Sequence, residues 1–151
     1  MHIRLLALIG VAAASATLLA ACASPVAVDP PQTSNEVKDV CLTMSRQLPE
    51  SVADQAKRNV EPLDVRTAAW GDPPIVYRCG VETPEDLTPT SVLASVNGVE
   101  WFTQEHTDGF VFTTVKRSVN VQMTVPKAYS PEATALTEIS DLIKQSDPVT
   151  N

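Results

Sequence analysis

Three cysteines, at positions 22, 41 and 79, constrain this 151-residue chain more than any other feature. Cys41 falls in a segment, Glu36–Leu48, whose apolar residues Val37, Val40, Cys41, Met44 and Leu48 recur at helical spacing, so it lies on the buried stripe of a helix that Pro49 ends. Thr33, Ser34 or Asn35 can cap this helix, and Thr33-x-x-Glu36 has the form of a capping box. Cys79 falls in Ile75–Val81, where Ile75, Tyr77, Cys79 and Val81 alternate with Arg78 and the other residues of the opposite strand face. Both thiols therefore point into one core, and a Cys41–Cys79 disulfide is expected. A bridge spanning 38 positions contributes roughly 4 kcal/mol in the chain-entropy model. The rival reading, a metal or redox pair, calls for a C-x-x-C spacing or neighbouring histidines, and the sequence has neither.

Cys22 is left over, and its context accounts for it. Met1–Arg4 is a short segment with one positive charge, and Leu5–Ala21 is an uncharged, small-residue-rich apolar run. This is the pattern of an export signal, shorter than the ~20 strongly apolar residues of a spanning helix. It has no twin arginine, so the general secretory route is expected. The run ends in Leu19-Ala20-Ala21-Cys22, which resembles the lipobox of bacterial lipoproteins. Small residues before the cut fit the peptidase, and the Cys22 thiol takes the lipid as a thioether. An ordinary A-x-A cut at Ala21-Cys22-Ala23 also fits the letters, but it leaves an odd free thiol in an exported protein. The expectation is a signal peptide over 1–21, a lipidated Cys22, and a chain held at the outer face of the cytoplasmic membrane.

Without the leader, 130 residues remain, enough for one domain. Arg4 leaves with it, so the remaining chain carries ten basic and 18 acidic residues, a net −8. That balance argues against nucleic acid as a partner and against direct adsorption to an anionic membrane. The lipid is therefore the expected membrane contact, and two or more acyl chains suffice for stable attachment. Residues 22–35 read as a lipidated, proline-rich tether, residues 36–145 as a single α+β domain, and residues 146–151 as a frayed tail.

Within the domain, Ser51–Asn59 reads as a further helical turn or two, with Val52 and Ala56 inward. Val92–Val96 and Val99–Phe102 flank Asn97-Gly98, a strong two-residue hairpin signal. Phe110–Val115 follows a turn at Asp108-Gly109, and Val119–Val125 alternates as a half-buried strand. Ser130-Pro131-Glu132 opens a last helix, with Leu136, Ile139, Leu142 and Ile143 as its buried stripe. The expected fold is an antiparallel sheet of four or five strands, with an N-terminal and a C-terminal helix packed on it.

The block Ala68-Ala69-Trp70-Gly71-Asp72-Pro73-Pro74-Ile75-Val76-Tyr77-Arg78-Cys79-Gly80-Val81, with Val96-Asn97-Gly98-Val99-Glu100-Trp101, resembles an actinobacterial family, DUF3515. The similarity extends from about Glu36 to Ile143. The resemblance implies a small exported or lipid-anchored protein and assigns no activity, cofactor or catalytic residue.

The residues themselves exclude several chemistries. Once the leader is removed, His106 is the one histidine, too few for a multi-histidine metal site, and no G-x-S-x-G surrounds a serine. No serine is followed three residues later by lysine, and the glycines at 71, 80, 98 and 109 stand singly, so nucleotide cradling is not expected. No cofactor is implied. Glu82, Glu85 and Asp86 cluster beside Pro84, and Glu100 and Glu105 bracket a strand; two of these could flank a scissile bond if the fold brought them together. The candidate binding surface is Trp70, Asp72, Arg78 and Trp101, built around the rigid Gly71–Pro74 corner, where Asp72 could pair with Arg78. The alternative for Trp70 is a plug at the edge of the core. The leading expectation is a non-enzymatic binding or interaction module of the cell envelope, contacting envelope proteins or cell-wall components. An acid-dependent envelope hydrolase and a purely structural envelope protein are the rivals.

Overall fold

The structure, a computed structural model, describes residues 24–147. The expected signal peptide, Cys22 and residues 148–151 lie outside the described residues. The fold is α+β, and its centre is one eight-stranded antiparallel sheet. In chain order the strands are β1 (Val26–Ala27), β2 (Ser51–Val52), β3 (Gln55–Arg58), β4 (Val60–Glu61), β5 (Thr67–Trp70), β6 (Ile75–Cys79), β7 (Leu93–Val96), β8 (Val99–His106), β9 (Gly109–Thr114) and β10 (Val121–Pro126). The large sheet runs β2-β3-β5-β6-β10-β9-β8-β7, and β1 pairs in parallel with β4 beside it. Two helices, α1 (Asn35–Ser45) and α2 (Thr137–Ser146), complete the fold.

The sheet is larger than the four or five strands expected, and each added strand has a physical reason for escaping the pattern. All four residues of β5, Thr67-Ala68-Ala69-Trp70, are buried, so both faces are covered and no apolar–polar alternation marks the strand. Residues 51–58 form a β2–β3 hairpin rather than a helical turn. Ala53 and Asp54 take positive φ at its two-residue turn without a glycine to announce it. Val52 is buried as expected, but Ala56 is exposed. The Asn97-Gly98 hairpin forms, with Val96 paired to Val99 and both turn residues at positive φ. The next turn is Thr107-Asp108, one residue earlier than expected. Gly109 already belongs to β9, where a Cβ would lie 2.3 Å from the Val125 carbonyl oxygen.

One face of the sheet is closed by the helices. Ile75, Tyr77 and Cys79 on β6, Val121, Met123 and Val125 on β10, and Trp101 on β8 all point inward and are buried. Cys41 on α1 is bonded to Cys79 on this face, which fastens the helix to the middle of the sheet. The Tyr77 hydroxyl donates to Met44 Sδ at 3.5 Å, and burial pushes its phenol well above the ordinary tyrosine range. Trp101 Nε1 donates to Ser140 Oγ at 3.0 Å, which locks α2 onto β8. α1 starts at the Ser34 cap, whose hydroxyl accepts from Val37 N at 3.4 Å, and it ends before Leu48. α2 is shorter than expected, because Glu132–Leu136 form a 3-10 turn ahead of it.

Order extends beyond both expected ends of the domain. Asp147, expected in the frayed tail, is buried, and its carboxylate accepts from Ser118 Oγ and from the backbone N–H of Ser118 and Val119. Arg117 donates to the Asp147 carbonyl at 2.7 Å, so a cation sits at the C-terminal end of α2. In the segment expected as a tether, Val26 and Ala27 pair with Val60 and Glu61, and Val28 and Pro31 are buried. Two arginines hold this arm: Arg58 donates to the Ser24 carbonyl at 2.7 Å, and Arg66 donates to the Pro31 carbonyl. A standing spacer needs a solvated backbone, and here the backbone bonds of the arm are given to the domain.

Candidate functional site

The second face of the sheet lacks a helical cover, and a cleft opens over it. Paired residues across strands share a face, so register places the side chains. Thr67, Arg78, Gln122, Thr113, Phe102 and Leu93 form one such row across β5, β6, β10, β9, β8 and β7. The β6–β7 connection crosses this face, where Asp86 accepts from Gln104 Nε2 at 2.9 Å and Asn120 Nδ2 donates to Thr83 Oγ1 at 3.1 Å.

Between that connection and the N-terminal arm lies a cleft of about 430 Å³. Arg78 and Gln122 line it from the sheet, Pro31 and Gln32 from the arm, and Glu82 and Glu85 from the connection. Arg78 is presented by the middle strand of the fold, one residue from the disulfide, so its backbone is among the most firmly held. Its guanidinium makes one long bond, Nη1 to Gln122 Oε1 at 3.5 Å, and its buried Nε has no partner among the described residues. A guanidinium whose terminal nitrogens make so little contact within the fold is suited to a carboxylate or phosphate, and the two exposed glutamates are suited to an ammonium. The arrangement can hold a polar ligand that carries both charges.

The four residues expected as a binding surface do not form one site. Trp70 is fully buried, and its Nε1 donates to the Pro49 carbonyl at 2.9 Å; it is the core plug of the alternative reading. Trp101 is also fully buried, on the helix-covered face. Apolar rings on strands gain most from an enclosed face, and both tryptophans find their polar partner inside it. Asp72 is exposed and lies 3.8 Å from Arg58, not beside Arg78. Of the four, Arg78 alone lines this cleft.

The acidic candidates divide as well. Glu82 and Glu85 line the Arg78 cleft from one loop, three residues apart. Glu100 pairs with Lys116 at 2.8 Å beside the β7–β8 hairpin, and Glu105 pairs with Lys127 at 3.4 Å. His106 is exposed at the end of β8. Among the described residues no group of three or more histidine, cysteine, aspartate and glutamate side chains is placed to hold a metal ion.

Sequence reading missed Gln122 and Gln32 as partners of Arg78. Gln122 had a usable signal, since it alternates with buried Val121 and Met123 and must share the Arg78 face of the sheet. Gln32 had none, because its place depends on the arm packing back on the domain.

A family model described as "Protein of unknown function (DUF3515)" matches residues 1–150, so the chain belongs to that family. No curated protein and no solved structure matches it.

Proposed function

We propose that this member of the DUF3515 family is a bacterial lipoprotein, anchored through Cys22 to the outer face of the cytoplasmic membrane, that works as a non-enzymatic binding module of the cell envelope. Its ligand is an envelope protein segment or cell-wall component bearing a carboxylate or phosphate beside an ammonium. The observation that carries this reading is Arg78. A residue on the central strand brings a guanidinium, whose one side-chain bond in the fold is a long contact to Gln122, into a cleft that also holds Glu82 and Glu85. The address rests on the Leu19–Cys22 motif and the leader before it. It is supported by cysteine bookkeeping, since Cys41 and Cys79 are used by each other.

The ligand reading is tested by titrating soluble cell-wall peptides with free carboxylate and ammonium groups into the protein, followed by calorimetry. A charge-assisted hydrogen bond contributes ~1.5–3 kcal/mol, so Arg78→Ala should weaken binding by about 10- to 150-fold. Crosslinking in intact membranes covers the envelope-protein arm, with partners compared between wild type and Arg78→Ala. Wild type that binds no wall fragment and crosslinks to no envelope protein, or partners untouched by Arg78→Ala, would overturn the Arg78 site. The address is tested separately by mass analysis of the N-terminal peptide, and Cys22→Ala should abolish the lipid mass.

A further inference from the structure

A second cavity, unlike the Arg78 cleft, lies at the end of the sheet where the Thr107-Asp108 turn and the Gly71–Pro74 corner meet. It has a volume of about 370 Å³, and Pro73, Phe110, Val111, Val125 and Pro126 supply most of its wall. Its ionisable residues, His106 and Asp108, are both exposed. Its exposed lining is almost wholly apolar, whereas that of the Arg78 cleft is mostly polar. Its volume lies at the small end of ligand pockets, enough for a slender apolar chain and too little for a folded partner.

The N-terminal arm is tied to the corner that supplies one wall of this hollow. Arg58 donates Nη2 to the Ser24 carbonyl at 2.7 Å and Nη1 to the Gly71 carbonyl at 2.9 Å, so one guanidinium ties the arm to the turn that carries Pro73. Arg58, Ala69, Val76, Thr124 and Val111 form a continuous cross-strand row, which puts Arg58 on the same sheet face as the hollow's Val111 and Thr124. Three strand spacings separate Arg58 from Thr124, roughly 14 Å. Cys22 is two residues before Ser24, a reach of at most ~7 Å.

We propose that this hollow is an acyl-chain site and that its occupant is one chain of the lipid on Cys22 itself. The inference rests on the lipoprotein reading given above. Three observations favour this occupant: the wall is apolar, the volume suits a single chain, and the arm is pinned at the same end of the sheet. A covalently leashed chain is also held at a high effective concentration for a site within its reach. The Thr107-Asp108 turn and the Gly71–Pro74 corner then lie next to the membrane. The Arg78 cleft, farther along the same strands, is directed away from it.

The test uses the full chain, processed in cells fed a diazirine-bearing fatty acid, then irradiated in the membrane and mapped by peptide mass analysis. The expected result is an intramolecular crosslink from the Cys22 lipid to the peptide carrying Phe110 and Val111. Filling the hollow with Val111→Trp should lower that crosslink several-fold, and Ala128→Trp, at an exposed lining position, provides the same test if the first variant fails to fold. A lipid-bearing Cys22 whose crosslinks reach only bilayer lipids, or reach the domain equally in both variants, overturns the proposal and leaves the anchor standing. A bilayer lipid found in the hollow in place of the Cys22 chain overturns it too. An N-terminal peptide without lipid mass sinks the anchor reading instead.

Discussion

The two faces of the central sheet are built from alternate residues of the same strands, yet they serve different ends. The helix-covered face holds Trp70, Tyr77, Met123, Trp101 and the Cys41–Cys79 bond, and each polar atom of its large side chains has a partner within the fold. The other face is covered by an irregular connection and an N-terminal arm, and there the Arg78 guanidinium, with one long bond to Gln122, lines a cleft. Moving one residue along β6, from Cys79 to Arg78, goes from the staple of the fold to its candidate site. Stability and recognition are separated here by the period of two of a β-strand, so a change on one face can leave the other intact.

The largest effect should come from Trp101→Ala. It removes a fully buried ring between β8 and α2 and leaves Ser140 Oγ without its donor, at a cost of about 3–5 kcal/mol. Denaturant unfolding measures this, and a loss below about 1 kcal/mol would break the view that this face carries the fold. The disulfide should follow. Replacing Cys41 and Cys79 together by alanine removes a 38-residue closure, which costs roughly 4 kcal/mol in the chain-entropy model and less where the reduced chain keeps residual structure. The check is the shift in unfolding midpoint between the double variant and the oxidised protein.

How much of each face could be read from the residues follows the same division. Alternation along Ile75–Val81 and Val119–Val125 identified the inward residues, and the helical stripe at Cys41 identified what they pack against, because burial on one side leaves a periodic trace. β5 left no such trace, since Thr67 and Ala69 are covered as fully as Ala68 and Trp70. The arm misled for a related reason. Asp29, Pro30 and Pro31 read as a solvated spacer, but Arg58 and Arg66, far along the chain, take its carbonyls, and no local pattern records a partner 34 or 35 residues away. Arg78 was legible as a residue turned from the core; its cleft was not, because one wall of it is that arm.

Acid should act at the margin between the faces. The Asp64 carboxylate accepts from Arg66 Nε and Nη2, each at 2.7 Å, and those bonds hold its pKa below the ordinary carboxylate value. A lowered folded pKa contributes stability that is present above the unfolded value of about 4 and is lost as pH falls through the folded one. Asp64→Asn should therefore flatten the acid limb of the stability profile below about pH 4 and leave the neutral-to-alkaline shape unchanged. Arg66 also holds the Pro31 carbonyl, so the variant should raise hydrogen exchange along the arm. An acid limb as steep in Asp64→Asn as in wild type would assign that loss to other carboxylates.

The smallest effect on stability should come from Arg78→Met. Arg78 shares β6 with Tyr77 and Cys79, whose loss should destabilise the protein by several kcal/mol, but its one side-chain bond in the fold is the 3.5 Å contact to Gln122. Methionine keeps an unbranched apolar stem across the strand and removes a buried nitrogen that has no partner. The expected change is therefore below about 1 kcal/mol and can be of either sign. Thermal unfolding of the two proteins, measured beside the ligand titration, sets the comparison in one variant. Near-native stability with lost binding is the signature of a residue kept for recognition. A loss of several kcal/mol would place Arg78 among the residues that hold the sheet together, and the division between the two faces would fail at the position where it is drawn most sharply.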